Sequence, residues 1–184
     1  MKKGIIVIAA VLALVAILFV VGYNGLVKAQ SRVEEQQANI MTQLQRRIDL
    51  IPNLIQTVNN FTTHETEVFA AVSEAREAMM SAQTMPERAA ANDEMSAALT
   101  RLTAVAEAYP ELKSDAVYTG LMDELAGTEN RIAAARRDYN AAVQDYNVST
   151  RKFPGVLLAK LFGFTQMNYF EATDAAQTTV PSVS

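Results

Sequence analysis

Apolar residues recur at helical spacing along most of the chain. Leu26, Val33 and Ile40 are separated by seven residues each. The stripe then continues through Leu44, Ile51, Val58, Phe61 and Val68. A seven-residue apolar repeat is typical of long helices that pack side by side, and no strand-like alternation occurs between Tyr23 and Tyr109. The pattern predicts a helical protein.

Pro52 interrupts this stripe. Because proline lacks a backbone donor and clashes with the preceding turn, we predict a kink or short break between Leu50 and Asn53. A loop is predicted at residues 81–85, with Thr84 as the cap of the next helix and Pro86 in its first turn.

Two further helices follow from the spacing of apolar positions. The first has a buried face and stops at Pro110; its face consists of Met95, Leu99, Leu102, Ala106 and Tyr109. The second begins near Ser114 or Asp115 and alternates steps of three and four residues. Its core positions are Tyr118, Leu121, Leu125, Thr128, Ile132, Ala135, Tyr139, Ala142 and Tyr146. Residues 23–152 are therefore predicted to form an antiparallel long-helix bundle of the four-helix type.

The N-terminal segment, residues 1–22, is predicted to be a transmembrane anchor in the lipid bilayer. Ile5 to Val21 is an unbroken apolar run, and at about 1.5 Å per residue it spans most of the roughly 30 Å of a bilayer core. Its length and the lack of a small-residue cleavage motif favour an anchor over a signal peptide. Lys2 and Lys3 on one side balance Lys28 and Arg32 on the other, so the orientation is open.

Residues 153–171 form a second apolar segment, too short to span a bilayer. Leu161 and Phe162 are among its bulky residues, and a patch of this size needs a cover. The bundle's own flank, a neighbouring protomer and the membrane surface are the alternatives, and we expect the first two before lipid. Residues 172–184 are polar and small, and are predicted to be a disordered tail.

Composition narrows the possible chemistry. There are no cysteines, and His64 is the single histidine, so zinc sites and the usual metal-binding pairs of helical bundles lack ligands. Removing Lys2 and Lys3 from the 16 basic residues leaves 14 against 20 acidic ones, which disfavours nucleic acid. Nucleotide-binding and acyl-transfer motifs are absent from the sequence. We expect no catalytic, metal or cofactor site and no enzymatic activity.

Two clusters are less generic than the rest. The first surrounds the proline and comprises Arg46, Arg47, Asp49, Pro52 and Asn53. Asp49 and Asn53 are predicted to satisfy backbone groups freed by Pro52, and Arg46 to pair with Asp49, although a partner-docking elbow is the alternative.

The second cluster is a repeat of Tyr139-Asn140 at Tyr146-Asn147. Its seven-residue spacing places both tyrosines on one helix face. We expect core tyrosines whose hydroxyls reach an amide, with a ligand site as the alternative.

At these residues the sequence resembles the LemA family of bacterial membrane proteins. The resemblance also includes the segments Tyr23–Val27, His64-Glu65, Ala75-Arg76, Tyr109–Lys113, Thr128–Ile132, Arg136, Phe153-Pro154, Phe162–Phe164 and Tyr169–Glu171. It implies a bundle of long antiparallel helices and no established enzymatic activity. A magnetosome-associated member of the family suggests a part in membrane organisation.

These observations favour a single-pass protein of the bacterial inner membrane that acts as a homo-oligomeric structural scaffold of the cell envelope. A sensor or adaptor that signals through the transmembrane helix to an unknown protein partner is the alternative.

Overall fold

The computed structural model describes residues 2–62 and 65–171. All regular secondary structure in these ranges is helical, which confirms the all-α prediction. The helices are α1 (Lys2–Asn59), α2 (Thr66–Ser81), α3 (Met85–Ala106), α4 (Pro110–Lys113), α5 (Ala116–Arg151) and α6 (Gly155–Phe162). His64 and the predicted tail at 172–184 lie outside the described residues.

Helix α1 begins in the apolar N-terminal segment and continues through Gly22 and Gly25 without interruption. It is long and apolar enough to cross a membrane, and none of the 18 residues in its most apolar stretch is buried within the protein. The helix also contains Pro52 in its interior. A break between Leu50 and Asn53, one of the two predicted alternatives, is therefore wrong, and the kink stays a prediction.

Helix α1 ends instead at Asn59 and α2 begins at Thr66, although the apolar stripe suggested continuity. Asn59, Asn60 and Thr62 are poor helix formers, because their side chains compete for backbone hydrogen bonds or lose rotamer freedom. The amides of Phe61 and Thr62 turn back to the carbonyl of Val58. Helix α1 ends here because these residues have a low helix propensity, whereas the packing of the buried residues around Pro52 maintains the helix there.

The predicted helix starts are confirmed. The Thr84 side chain accepts from the amide of Glu87, and the Glu87 carboxylate accepts from the amide of Thr84, which forms a capping box with Pro86 in the first turn. These contacts with the backbone amides of Thr84 and Gln83 lower the pKa of Glu87. Asp115 caps α5 by accepting from the amide of Tyr118 at 2.8 Å.

The described residues divide into two compact units. We call them the anchor unit, within Met1–Ala38 and Asp138–Asn168, and the bundle unit, within Asn39–Arg137 and Tyr169–Ser184. The predicted boundaries at residues 22 and 152 stay predictions.

In the bundle unit, α3 runs parallel to α1. Arg88 contacts Met41, and further along both helices Asn92 contacts Arg47. Helices α2 and α3 are joined by the short turn at residues 82–84, so α2 runs in the opposite direction. The core is apolar and includes Ile51, Leu54, Val72, Met95, Leu102 and Leu125.

Helix α5 runs opposite to α3, so the directions of α1, α2, α3 and α5 alternate in the bundle unit. Tyr118 of α5 lies close to Thr103 of α3, while Glu129 and Asn92 bind the same arginine. Residue numbers thus rise along α5 as they fall along α3, which makes the two helices antiparallel.

In the anchor unit, α1 and α5 are antiparallel. Leu26 lies beside Gly155, which begins α6 just after the end of α5, and Arg32 forms an exposed ion pair with Asp145 of α5 at 3.8 Å. Between the helices are the buried side chains of Val33, Tyr139, Val143 and Tyr146. Val33, Tyr139 and Tyr146 are positions that the sequence pattern assigned to the core.

Candidate functional site

Arg47 is the most deeply buried charged residue that the structure describes. It lies on α1 in the bundle unit and is 2% exposed. Its Nη1 donates to Asn92 Oδ1 at 2.6 Å and to the carboxylate of Glu129, and its Nη2 donates to Ser96 Oγ at 3.0 Å. One guanidinium therefore connects α1 to both α3 and α5.

Two effects act on the pKa of Arg47 in opposite directions. Burial lowers the pKa of Arg47, while the nearby carboxylates of Glu129 and Asp93 raise it. Arginine nevertheless stays protonated in proteins, so the charge has to be compensated locally. The Glu129 side chain is partly exposed. In this ion pair the guanidinium is therefore shielded from solvent, whereas the carboxylate is accessible to it.

A cleft of about 550 Å³ lies next to this cluster. Its lining combines two arginines and two carboxylates with an apolar floor. The lining residues are Asn92, Asp93, Glu129, Asn130, Ile132, Ala133, Arg136, Arg137 and Phe170. Within residues 2–62 and 65–171 no group of three or more acidic or histidine side chains is placed to hold a metal ion.

Arg46 has a different partner from the one predicted. Its Nε donates to Glu124 Oε1 of α5 at 2.9 Å, and the pair is solvent-exposed. Asp49 accepts instead from Gln45 Nε2 at 2.8 Å. The predicted pairing of Arg46 with Asp49 is wrong, because α5 brings a carboxylate across from Arg46 and Gln45 lies one turn before Asp49.

The backbone group freed by Pro52 is also satisfied from elsewhere. Pro52 cannot donate to the carbonyl of Ile48, and Arg76 Nε of α2 donates to that oxygen at 3.3 Å. Asn53 is exposed, and its own carbonyl accepts from the Thr57 hydroxyl at 2.8 Å. The prediction that Asp49 or Asn53 would satisfy the freed group is wrong.

The tyrosine and asparagine repeat lies in the anchor unit and holds the chain that follows α6. Asn147 Nδ2 donates to the carbonyl of Met167, and its Oδ1 accepts from the amide of Met167, both at 2.9 Å. The Tyr139 hydroxyl donates to the carbonyl of Asn168 at 2.8 Å. These side chains thus bind main-chain groups of residues 167–168.

The other members of this repeat complete the core. Tyr146 is fully buried, and Asn140 is half-buried. Burial raises the pKa of Tyr139 and of Tyr146, and the nearby charge of Glu34 adds to the effect at Tyr146. The expected core role of the tyrosines is what the structure shows, although the Tyr139 hydroxyl reaches a main-chain carbonyl and not an amide side chain.

Leu161 and Phe162 lie on α6. The Phe162 ring contacts the Tyr23 ring of α1 edge to face, with 4.8 Å between centroids. Even so, Leu161 is 67% exposed and Phe162 is 53% exposed. The bundle's own flank, one of the covers considered for this segment, does not cover these two side chains.

Comparison with known proteins places the chain in a family. The family model for LemA matches residues 36–184. The chain belongs to the LemA family. Two relatives are the magnetosome protein MamQ 2 of Paramagnetospirillum magneticum, 29% identical over 202 residues, and the magnetosome protein MamQ of Magnetospirillum gryphiswaldense, 28% identical over 199 residues. These alignments cover 96% and 93% of this chain, and 74% and 73% of the relatives.

The motifs shared with the LemA family include site residues that the spacing of apolar positions alone did not indicate. Arg76 and Glu129 lie in its motifs, yet their contacts with Ile48 and Arg47 depend on helices far apart in the sequence. Nothing in the sequence indicated that Asn92 and Ser96 bind Arg47, because small polar residues on a helix are common on solvated faces. With its membrane-length first helix, this LemA-family protein is membrane-associated.

Proposed function

We propose that the protein is a single-pass, self-associating scaffold of the bacterial inner membrane that takes part in membrane organisation. The observation that carries this proposal is the continuity of α1. The helix runs from the apolar span directly to Leu26 and Val33, which are buried in the core of the anchor unit. A membrane helix joined to a packed domain without a linker fixes the position of that domain on the membrane.

The relatives support the membrane part of the proposal. Two of them are named magnetosome proteins, and this likeness favours a part in the organisation of a membrane over one in soluble metabolism. Of the helices in residues 2–62 and 65–171, α1 alone is long and apolar enough to span a bilayer. A single-pass arrangement accounts for that finding.

The polar clusters support a structural role over a catalytic one. Arg47 of α1 directs Nη1 and Nη2 to side chains of α3 and α5. The Asn147 amide is engaged on both sides by the backbone of Met167. The Arg47 contacts hold α1 to α3 and α5, and the Asn147 contacts hold the segment after α6 to α5.

Self-association is proposed through the apolar span. Ala9, Ala13 and Ala16 lie on one face of α1 and lack bulk. Small residues at this spacing allow two membrane helices to approach closely, so that backbone and side chains pack well. The rest of the apolar span is exposed and available to lipid.

The test is the mass of the full chain in lipid nanodiscs and in detergent, measured by mass photometry with cross-linking. We expect a defined oligomer of more than two copies. Ala9→Leu combined with Ala13→Leu should reduce it, whereas Ala10→Leu, on another face of the same helix, should not. A monomer at all concentrations would contradict self-association.

The sensor or adaptor function gives a different result in the same measurement. It predicts a monomer or dimer whose state changes when an extract fraction or candidate ligand is added. A large assembly that is indifferent to such additions supports the scaffold.

A further inference from the structure

Helix α6 has two apolar faces, of which the protein covers one. Leu158 and Ala159 are buried. Leu157 and Leu161, four residues apart, are exposed together with Phe162, and Phe153 just before the helix is 81% exposed. Bulky apolar side chains in such a row rarely face water.

The covered face packs on α1 where the apolar span ends. A Cβ added at Gly22 would lie 2.6 Å from Leu158 Cδ1, so the missing side chain makes room for α6. Tyr23 contacts the rings of Phe162 and Phe164 edge to face, at 4.8 and 5.8 Å. Gly22 directly follows Val21, the last residue of the apolar run.

This position matches the interfacial layer of a bilayer. Gly22 and Leu26, the two ends of the contact on α1, are separated by about 6 Å of helix rise. Interfacial helices bury their apolar face about 5–10 Å into the boundary between headgroups and acyl chains. Tyrosine, here Tyr23, is enriched at this depth.

The charge around α6 also fits a lipid surface. The chain contains no Asp or Glu from Tyr146 to Phe170, although its net charge is −4. The same stretch carries Arg151, Lys152 and Lys160, all exposed. Cations beside an apolar face are attracted to anionic headgroups. A second copy docked about a two-fold axis would instead bring these like charges together.

The segment is held firmly in this position. Residues 152–154 join it to α5, where the Lys152 amide donates to the Val148 carbonyl and the Val156 amide to the Lys152 carbonyl. Beyond α6 the backbone of Met167 and Asn168 is bound by Asn147 and Tyr139. Because both ends are fixed, the exposed face of α6 cannot turn inward without breaking these hydrogen bonds.

We propose that α6 is a second membrane contact, with Phe153, Leu157 and Leu161 inserted into the interfacial lipid at the surface where α1 leaves the bilayer. The occupant of this face is lipid, and anionic headgroups bind Lys152 and Lys160. The inference rests on the membrane anchoring of α1 and not on self-association. It would make the Tyr139 and Asn147 contacts the means by which the protein fixes its anchor unit against the membrane.

The chain has no tryptophan, so single-tryptophan variants report on depth. Leu161→Trp is the probe. Gln144→Trp, exposed on α5 next to the residue that pairs with Arg32, is the control outside the membrane. Val11→Trp is the control within the span. Each full-length variant is placed in nanodiscs of phosphatidylcholine and phosphatidylglycerol that contain lipids spin-labelled near the headgroup or deep in the acyl chain.

We expect the shallow label to quench Leu161→Trp several-fold more than Gln144→Trp, with blue-shifted emission, in discs that hold one copy of the protein. Adding Leu157→Glu should weaken that quenching. Quenching equal to that of Gln144→Trp would overturn the proposal. A blue shift seen only in discs with two or more copies would also overturn it and would assign the face to a second protomer. Failure of the deep label to quench Val11→Trp would instead contradict the membrane anchor itself.

Discussion

Arg76 of α2 donates from Nε to the main-chain carbonyl of Ile48 at 3.3 Å. Ile48 lies four residues before Pro52, so its carbonyl is the acceptor that the proline leaves without a helical donor. A side chain of the neighbouring helix thus takes the place of a backbone amide. Helix α1 continues past the proline, with Ile51 and Leu54 fully buried on either side.

We predict that Arg76→Met lowers the free energy of unfolding by about 1–3 kcal/mol, because a part-buried carbonyl loses a charged donor. In a Pro52→Ala background the same change should cost much less, since the alanine supplies the missing backbone amide. The double-mutant cycle is measured by denaturant unfolding of the full chain in detergent. Arg101→Met, on the exposed side of α3, controls for the loss of charge, and equal costs in both backgrounds would contradict the assignment.

Arg47→Lys is expected to destabilise the protein by about 2–4 kcal/mol. A lysine cannot direct donors to Asn92, Ser96 and Glu129 at once, and it leaves a charge poorly compensated in a buried position. Arg46→Lys, in the exposed pair with Glu124, should cost less than about 1 kcal/mol. Thermal unfolding followed by circular dichroism compares the two; similar melting temperatures would argue against the role of the buried cluster.

Asn147→Asp should release the chain that follows α6. The substitution keeps the shape of the side chain but replaces the donor to the Met167 carbonyl with a second acceptor. We expect faster hydrogen exchange at the Met167 amide and in the flanking residues 163–168. Gln144→Glu, the same chemical change on the exposed face of α5, should leave exchange there unaltered.

Stability should fall in alkaline solution because of buried tyrosines. Burial raises the pKa of Tyr118, Tyr139 and Tyr146 above the ordinary value of about 10. A pKa raised by folding gives stability that is present below the unfolded pKa and is lost as pH rises through the folded pKa. Unfolding free energies from neutral pH to about pH 11 should show this decline.

Tyr139→Phe should reduce the alkaline decline, and at neutral pH it should cost about 1 kcal/mol, because the Asn168 carbonyl loses its donor. Tyr169→Phe serves as the comparison at a partly exposed ring. An alkaline decline that is identical in both variants would mean that Tyr139 does not contribute to it.

Local patterns in the sequence determined the helical class, the apolar span and the starts of α3 and α5. Periodicity shows which face of a helix is buried, and it placed Ile132, Tyr139 and Tyr146 in the core correctly. The Thr84 and Glu87 capping box is encoded within four residues. Such features depend on neighbours in the chain, so they are visible before folding.

The tertiary structure decided which polar groups form hydrogen bonds and ion pairs with each other. The donor for Ile48 comes from α2, the carboxylate for Arg46 from α5, and the acceptors for Arg47 from two helices more than forty residues away. The position of α6 beside Gly22 likewise depends on α5 returning antiparallel to α1. Hydrogen bonds and packing of this kind are set by the distance between helices in space, and helical periodicity alone contains no information about that distance.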